Sequence, residues 1–376
     1  MKIGIIQNVT LNDHRSVHSH NIACELLKRG HEVDCILQKT SEPLQYTERP
    51  YTLIQIPGNT YSISGQIRFM IHSWNVIKKG KYDIIHAKNP FSSLFSPVIL
   101  KIMKRINSRL IYDMRGLWID FGVETHKFPP SLSILFKKVE KVLADQCDAI
   151  ITISPPLKEI LCERGYDTGK IFVIVGAGIN IHRMGALPGV KKDSTRISTK
   201  IGYIGTISTG RQSEKIIEAF KKINKSNISL IMIGPIIEPA IFTALTSSHE
   251  SIHLTGFLPQ EEALRCLKTF DIAVSYHDIN DPAYNVAVPT KILEYMAAGI
   301  PIVATDHAMY TNILEDGITA LLTPQNPEDF ARGIAYLIEN SHLAAQLASN
   351  ARIEAHKYAV ERVVDQLETV YEQVCG

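Results

Sequence analysis

In the stretch VAVPTKILEYMAAGIPIVATD, residues 286–306, Pro289, Lys291 and Glu294 stand at spacings that can do chemistry. Pro289 suits a turn just before a helix, Lys291 and Glu294 fall on its first turns, and Gly299 ends it ahead of a buried strand. A helix start offers unpaired N–H groups and a partial positive charge. With Lys291 added, the position favours an anion such as a diphosphate. Glu294 can accept hydrogen bonds from a pair of ribose hydroxyls. An ordinary helix with a solvated Lys and Glu fits the same residues. A second stretch, IFVIVGAGIN at 171–180, looks like the strand and glycine turn of a dinucleotide site. Ile181 stands where that fingerprint needs Gly or Ala, and a polar segment follows instead of a helix, so the dinucleotide reading fails.

The elements that must position these residues alternate between short apolar runs and helical periodicity. KIGIIQ, HEVDCILQ, YTLIQIP, YDIIHA, RLIYDM, AIITIS and FVIVGAG read as strands of one parallel sheet. After a polar stretch broken by Gly and Pro, KIGYIG, ISLIMIG, SIHLTG, DIAVSYH, PIVATD and TALLTP start a second. Strands separated by amphipathic helices predict parallel sheets covered on both faces. The expected fold class is therefore α/β, with two Rossmann-like doubly wound domains facing a cleft. The first domain is expected over 1–180, a linker over 181–200 and the second domain over 201–359.

Composition limits the function classes. With 376 residues the chain exceeds one hydrophobic core, and no apolar run approaches the roughly 18 residues of a membrane span. Six scattered cysteines without a C-x-x-C spacing suggest neither zinc cluster nor redox pair, and fit a reducing cytoplasm. The net charge of +2 is unevenly shared: residues 1–180 hold 23 Lys+Arg against 16 Asp+Glu, leaving 17 against 22 for the remainder. A basic first half suits an anionic surface or acceptor, as it suits solvated lysines on helix faces. Basic residues are not interleaved with aromatics, so nucleic acid is not an expected partner. Leu132, Leu135, Val139, Val142 and Leu143 form an apolar stripe flanked by Lys137, Lys138 and Lys141. That stripe suits packing on the domain's own sheet, or a peripheral contact with the inner face of a membrane.

In order and spacing, RGHEV, YDIIHA, CDAIITIS, IFVIVGAGIN, IGYIG, IHLTGFLP and the Lys291–Glu294 helix resemble the retaining glycosyltransferases of family four, which have the GT-B fold. The resemblance covers nearly the whole chain. It implies a sugar moved from a nucleotide donor such as a UDP-sugar to a saccharide or lipid-linked acceptor, in bacterial polysaccharide, glycolipid or glycoconjugate synthesis. It also implies that the final helix, about 360–376, packs back on the first domain. Of the family's two glutamates eight positions apart, the second corresponds to Glu294, the ribose contact, while the first falls on Val286, so backbone N–H groups at Val286 and Ala287 would hold sugar or phosphate. Gly205 matches the family's diphosphate grip. Its arginine position is Thr206, and its lysine position is Arg211, whose guanidinium can fork onto two phosphate oxygens. Lys215, one turn on, reads as a solvated helix residue. His86 matches the first of two family histidines and Lys88 replaces the second. His86 also suits a plain core position. Asp113 and Arg115 are expected acceptor or catalytic contacts, and Phe257 and Leu258 would lie beside the nucleobase. No Asp-x-Asp pair follows a strand, which fits a cofactor-free, metal-independent front-face substitution. A sugar-nucleotide epimerase of similar fold, or a silent nucleotide-sugar-binding subunit, are the competing readings.

Overall fold

The computed structural model describes residues 1–42, 44, 49–88, 91–124, 129–176, 178–186, 198–223, 225–277 and 285–376. By internal contacts they form two units, Met1–Gly178 with Val360–Gly376, and Ile179–Ala359.

The first unit holds β1 (Lys2–Thr10), β2 (Glu32–Gln38), β3 (Thr52–Ile56), β4 (Ile84–Lys88), β5 (Arg109–Met114), β6 (Ala149–Thr152) and β7 (Ile171–Val173). They lie in the order β3-β2-β1-β4-β5-β6-β7, and every pairing is parallel. All five residues of β4 are buried, because helices on both faces leave no solvated side for alternation to follow. One core cluster joins Ile3, Ile5, Ile84, Ile111 and Ile151 to Ile22 and Leu26 of helix Val17–Lys28 and to Val363, Val364 and Leu367 of the final helix, Val360–Cys375. Arg29 ties these two helices, with Nη1 at 2.6 Å from Glu368 and 2.7 Å from Asp365. In the ladder Ile5 pairs with His86, and Lys88 pairs with Asp113. Paired residues of a parallel ladder share a face and alternate residues return to it. His86, Lys88 and Asp113 therefore leave the sheet on one side, near the strands' carboxyl ends.

The second unit holds β8 (Thr199–Ile204), β9 (Ile228–Ile233), β10 (Ile252–Gly256), β11 (Ile272–Ser275), β12 (Ile302–Thr305) and β13 (Leu321–Thr323), ordered β10-β9-β8-β11-β12-β13 and parallel throughout. The chain runs outward from β8 to β10, then returns to β11 on the other side of β8. Such a reversal is the place where open α/β sheets receive ligands. The strand ends are crowded here. A Cβ on Gly234 would stand 2.0 Å from the carbonyl oxygen of Gly205, and Gly205 itself has φ +149°, so both positions exclude a side chain.

Two expectations need correction. Residues 181–200 are not all linker. Asn180 Oδ1 accepts the Arg183 N–H at 2.8 Å and starts a short helix, Ile181–Ala186, and β8 begins at Thr199. This cap made the segment helical despite its lack of apolar periodicity. Residues 187–197 and Ala177 lie outside the described residues. In helix Pro130–Asp145 the apolar stripe is divided: Leu143 is buried with Glu140 and Ala144, while Leu135 and Val142 are exposed with Ile134. Seven-residue spacing keeps Leu135 and Val142 together on a face that the sheet does not cover.

Candidate functional site

In the first unit, His86, Lys88, Asp113 and Arg115 form one charged cluster, with His86, Lys88 and Asp113 fully buried. Asp113 Oδ2 lies 3.1 Å from His86 Nε2 and 3.6 Å from Lys88 Nζ, while Oδ1 lies 3.7 Å from Arg115 Nη1. Arg115 Nη2 also donates to the Gly176 carbonyl at 2.6 Å, so the glycine turn after β7 anchors the guanidinium. Two residues join from helices: His18 Nδ1 meets Lys88 Nζ, and Tyr371 Oη lies 2.6 Å from His86 Nδ1. Asp113 Oδ1 and His18 Nε2 are buried and have no hydrogen-bond partner among the described residues.

Burial alone would raise the Asp113 carboxyl, but Arg115, Lys88 and His86 overcome it and hold the group far below the usual carboxylate range. Burial pulls the Lys88 ammonium down to about 7 against the attraction of Asp113. Burial, then Arg115 and Lys88, hold His18 well below its ordinary value, and burial likewise lowers His86. The cluster is thus a carboxylate held ionised inside the protein by its own cations, with one oxygen able to accept a further proton donor such as a hydroxyl.

In the second unit the chemistry gathers where β8 and β11 end. Helix Thr290–Ala298 starts after Pro289 without a side-chain cap and closes on Gly299 at φ +66°. Lys291 extends from its first turn, with Nζ 4.4 Å from the centroid of the Tyr203 ring. Tyr203 Oη donates to the Thr206 carbonyl at 3.0 Å, and Tyr295 Oη accepts the Ile204 N–H at 2.8 Å, so β8, the loop at Gly205–Thr206 and this helix are fastened together. Arg211 ends the short turn Thr209–Arg211 that follows. Burial and then the charge of Arg211 pull Lys291 down to about 7. His277, just past β11, is buried and held to Thr305 by two hydrogen bonds, its N–H to Oγ1 at 3.1 Å and Oγ1 to its carbonyl at 3.3 Å. Burial, Lys291, Arg211 and His307 keep it well below its ordinary value.

Glu294 is partly buried, burial alone pushes it up to about 7, and it makes no ion pair with Lys291 among the described residues. Lys291 makes no ion pair among the described residues. The result is a set of mutually repelling cations beside an open helix start, an arrangement that an anion would relieve.

The structure therefore gathers His86, Lys88, Asp113 and Arg115 into one cluster, and Gly205, Thr206, Arg211 and Lys291 at one sheet end. Val286 is wholly buried, Ala287 partly so. Phe257 is 60 % exposed just beyond β10, the edge strand, and Leu258 is partly buried. Lys215 pairs with Glu218 at 3.0 Å on an exposed helix face. Sequence reading did not find His18, Tyr371, Tyr203 or His277. His277 had a legible signal, a polar residue closing the apolar run DIAVSYH, whereas His18 and Tyr371 reach the cluster only through tertiary packing. Among the described residues no group of three or more His, Cys, Asp or Glu is placed to hold a metal, and no helix is long and apolar enough to cross a membrane.

Two family models match the chain, Glycosyltransferase Family 4 over residues 16–180 and Glycosyl transferases group 1 over residues 191–354. An uncharacterized glycosyltransferase of Methanocaldococcus jannaschii is 26% identical over 297 residues, 76% of this chain and 74% of that one. Among solved structures, sucrose-phosphate synthase from Thermosynechococcus elongatus aligns with a TM-score of 0.78 at 16% identity, over 99% of this chain and 98% of the other. HepE of Anabaena, in complex with UDP and glucose, aligns with a TM-score of 0.76 at 16% identity, over 99% of this chain and 100% of the other.

Proposed function

Since the chain belongs to the group 1 glycosyltransferases and has their GT-B fold, we propose that it moves a glycosyl group from a nucleoside-diphosphate sugar to an acceptor hydroxyl, with retention of anomeric configuration, in polysaccharide, glycolipid or glycoconjugate synthesis. The observation that carries this reading is Lys291, depressed by burial and by Arg211 beside it, with no carboxylate paired to Lys291 among the described residues. A diphosphate supplies the missing charge. In this reading Arg211 forks onto two phosphate oxygens, Lys291 meets a third, and the N–H groups opening helix Thr290–Ala298 complete the grip. The backbone at Gly205, Thr206, Val286 and Ala287 lets phosphate and sugar approach closely. Glu294 accepts the ribose hydroxyls, which favour its ionised form, and the base lies against Phe257 and Leu258.

As the glycosidic bond breaks, negative charge grows on the leaving diphosphate, and the same cations and helix start stabilise it. They take the role that a divalent cation fills elsewhere, so no metal or other cofactor is assigned. The leaving phosphate takes the acceptor proton on the same face, which accounts for retention. Asp113 Oδ1 accepts a hydrogen bond from an acceptor hydroxyl, with His86, Lys88 and Arg115 holding that carboxylate charged.

A thermal-shift panel of UDP-glucose, GDP-mannose, ADP-glucose and dTDP-glucose tests the donor class, because a specific ligand raises the melting temperature by mass action. UDP-glucose is the first choice because HepE was solved with UDP and glucose. No shift with any of the four rejects the reading, and release of an altered donor without acceptor would favour an epimerase. We also assign the enzyme to the cytoplasm, with peripheral attachment to anionic lipid through the first domain. Ile134, Leu135 and Val142 are exposed there beside Lys138. Failure to float with phosphatidylglycerol vesicles removes that attachment.

A further inference from the structure

We propose that Tyr371 is a positioning residue for Asp113, acting through His86 so that Oδ2 is tied down and Oδ1 is left for an acceptor hydroxyl. The proposal rests on the reading of Asp113 as an acceptor contact. The chain of contacts has one consistent assignment of protons. An ionised carboxylate can only accept, so His86 Nε2 must carry the hydrogen at the 3.1 Å contact with Asp113 Oδ2. Nδ1 is then bare, and the Tyr371 hydroxyl donates to it at 2.6 Å. Tyr371 is itself wholly buried on the final helix, and its ring meets His86 edge-on at 86°. A half-turn of the imidazole would present carbon to Oδ2 and waste both contacts, so the hydroxyl selects the ring orientation as well as the tautomer. The groups facing Asp113 are His86 and Lys88 from β4, Arg115 beyond β5, and His18 from helix Val17–Lys28. Three of them, His86, Lys88 and Arg115, are in direct contact with it. Tyr371 stands behind His86, and only Oδ1 accepts no hydrogen bond.

The effect reaches far along the sequence. The final helix packs against helix Val17–Lys28 through Arg29, His31 and Glu368, and Tyr371 is the side chain by which it meets the charged cluster. The last turns of the chain thereby set the orientation of a carboxylate at the end of β5.

The test uses the full-length chain with whichever of UDP-glucose, GDP-mannose, ADP-glucose and dTDP-glucose raises its melting temperature, following release of nucleoside diphosphate. Tyr371→Phe is expected to lower kcat about tenfold with KM for the donor nearly unchanged. His86→Gln keeps an N–H toward Asp113 and loses the contact to Tyr371. In that background Tyr371→Phe is expected to add less than about twofold, because the two residues act in series. An unchanged kcat, a rise in KM for the donor that matches the fall in kcat, or multiplying effects in the double variant would each overturn the proposal. Ring ¹⁵N spectra of His86 need no substrate. They are expected to show protonated Nε2 and a hydrogen-bonded, bare Nδ1 whose resonance moves in Tyr371→Phe, and the opposite tautomer rejects the assignment. If none of the four nucleotide sugars binds, the glycosyl-transfer reading fails and takes the acceptor role of Asp113 with it, while the spectra still decide whether Tyr371 orients His86.

Discussion

The two units each bring cations to the carboxyl ends of a parallel sheet, but they balance them differently. Around Asp113 the charges are internal: Lys88 and Arg115 flank, and His86 hydrogen-bonds, a carboxylate that the fold itself supplies. Beside helix Thr290–Ala298, Lys291 and Arg211 repel one another, and Glu294 is pushed towards its neutral form. A closed set of charges orients groups, whereas a lysine with no ion pair among the described residues suits a ligand that brings the opposite charge. On our reading the difference separates a cluster that positions groups from a site that takes an anion.

The comparison breaks most visibly at Asp113. Asp113→Ala leaves buried cations unbalanced and is expected to cost about 3–5 kcal/mol in unfolding free energy, read from urea denaturation. A loss below about 1 kcal/mol would mean that the cluster is not internally balanced. The same kind of removal in the second unit should go the other way. Lys291→Met is expected to leave the free protein as stable or about 1 kcal/mol more so, while donor affinity falls roughly thirtyfold by calorimetry. Loss of stability without loss of affinity would make Lys291 a structural lysine.

A pH series sharpens the contrast. Lys291 in the folded protein loses its proton near 7, whereas in the unfolded chain it keeps it to about 10.5. Between these values the unfolded state binds more protons, so this residue makes stability rise with pH. Donor affinity moves oppositely, weakening by up to about tenfold per pH unit above 7, because the diphosphate needs the ammonium. Lys291→Met should flatten both trends. The smallest effect belongs to Lys215, whose exposed pairing with Glu218 makes Lys215→Ala worth less than about 0.5 kcal/mol, with donor binding unmoved.

Sequence reading was most complete where a local rule governs. Every strand of both sheets was visible as a short apolar run, and in central strands burial on both faces erases alternation and leaves few other interpretations for runs such as YDIIHA or PIVATD. The helix after Pro289 was visible in its Pro, Lys, Glu and Gly spacing. The charge state of Lys291 was not, because it depends on burial by the tertiary fold and then on Arg211, some eighty positions earlier in the chain. Nor was the role of His86 decidable, since a core histidine and an oriented one share the same sequence context and differ only in Tyr371 and Asp113. The short helix at Ile181–Ala186 escaped because a single Asn cap, not periodicity, starts it.

The ladder pairing of Lys88 with Asp113 bears on how the sheet assembles. Ile84, Ile85 and Ala87 of β4 and Leu110 and Ile111 of β5 are aliphatic, and aliphatic packing alone discriminates weakly among alignments two residues apart. Sliding β4 by one position would send Lys88 to the opposite face of the sheet, where Tyr112 donates to Glu140, and would leave Asp113 with Arg115 alone as its cation. Sliding it by two would keep the face but part the charges along the strand. The ion pair thus works as a key that only one alignment of the central strands can turn, so that the geometry of the cluster is decided as the sheet forms.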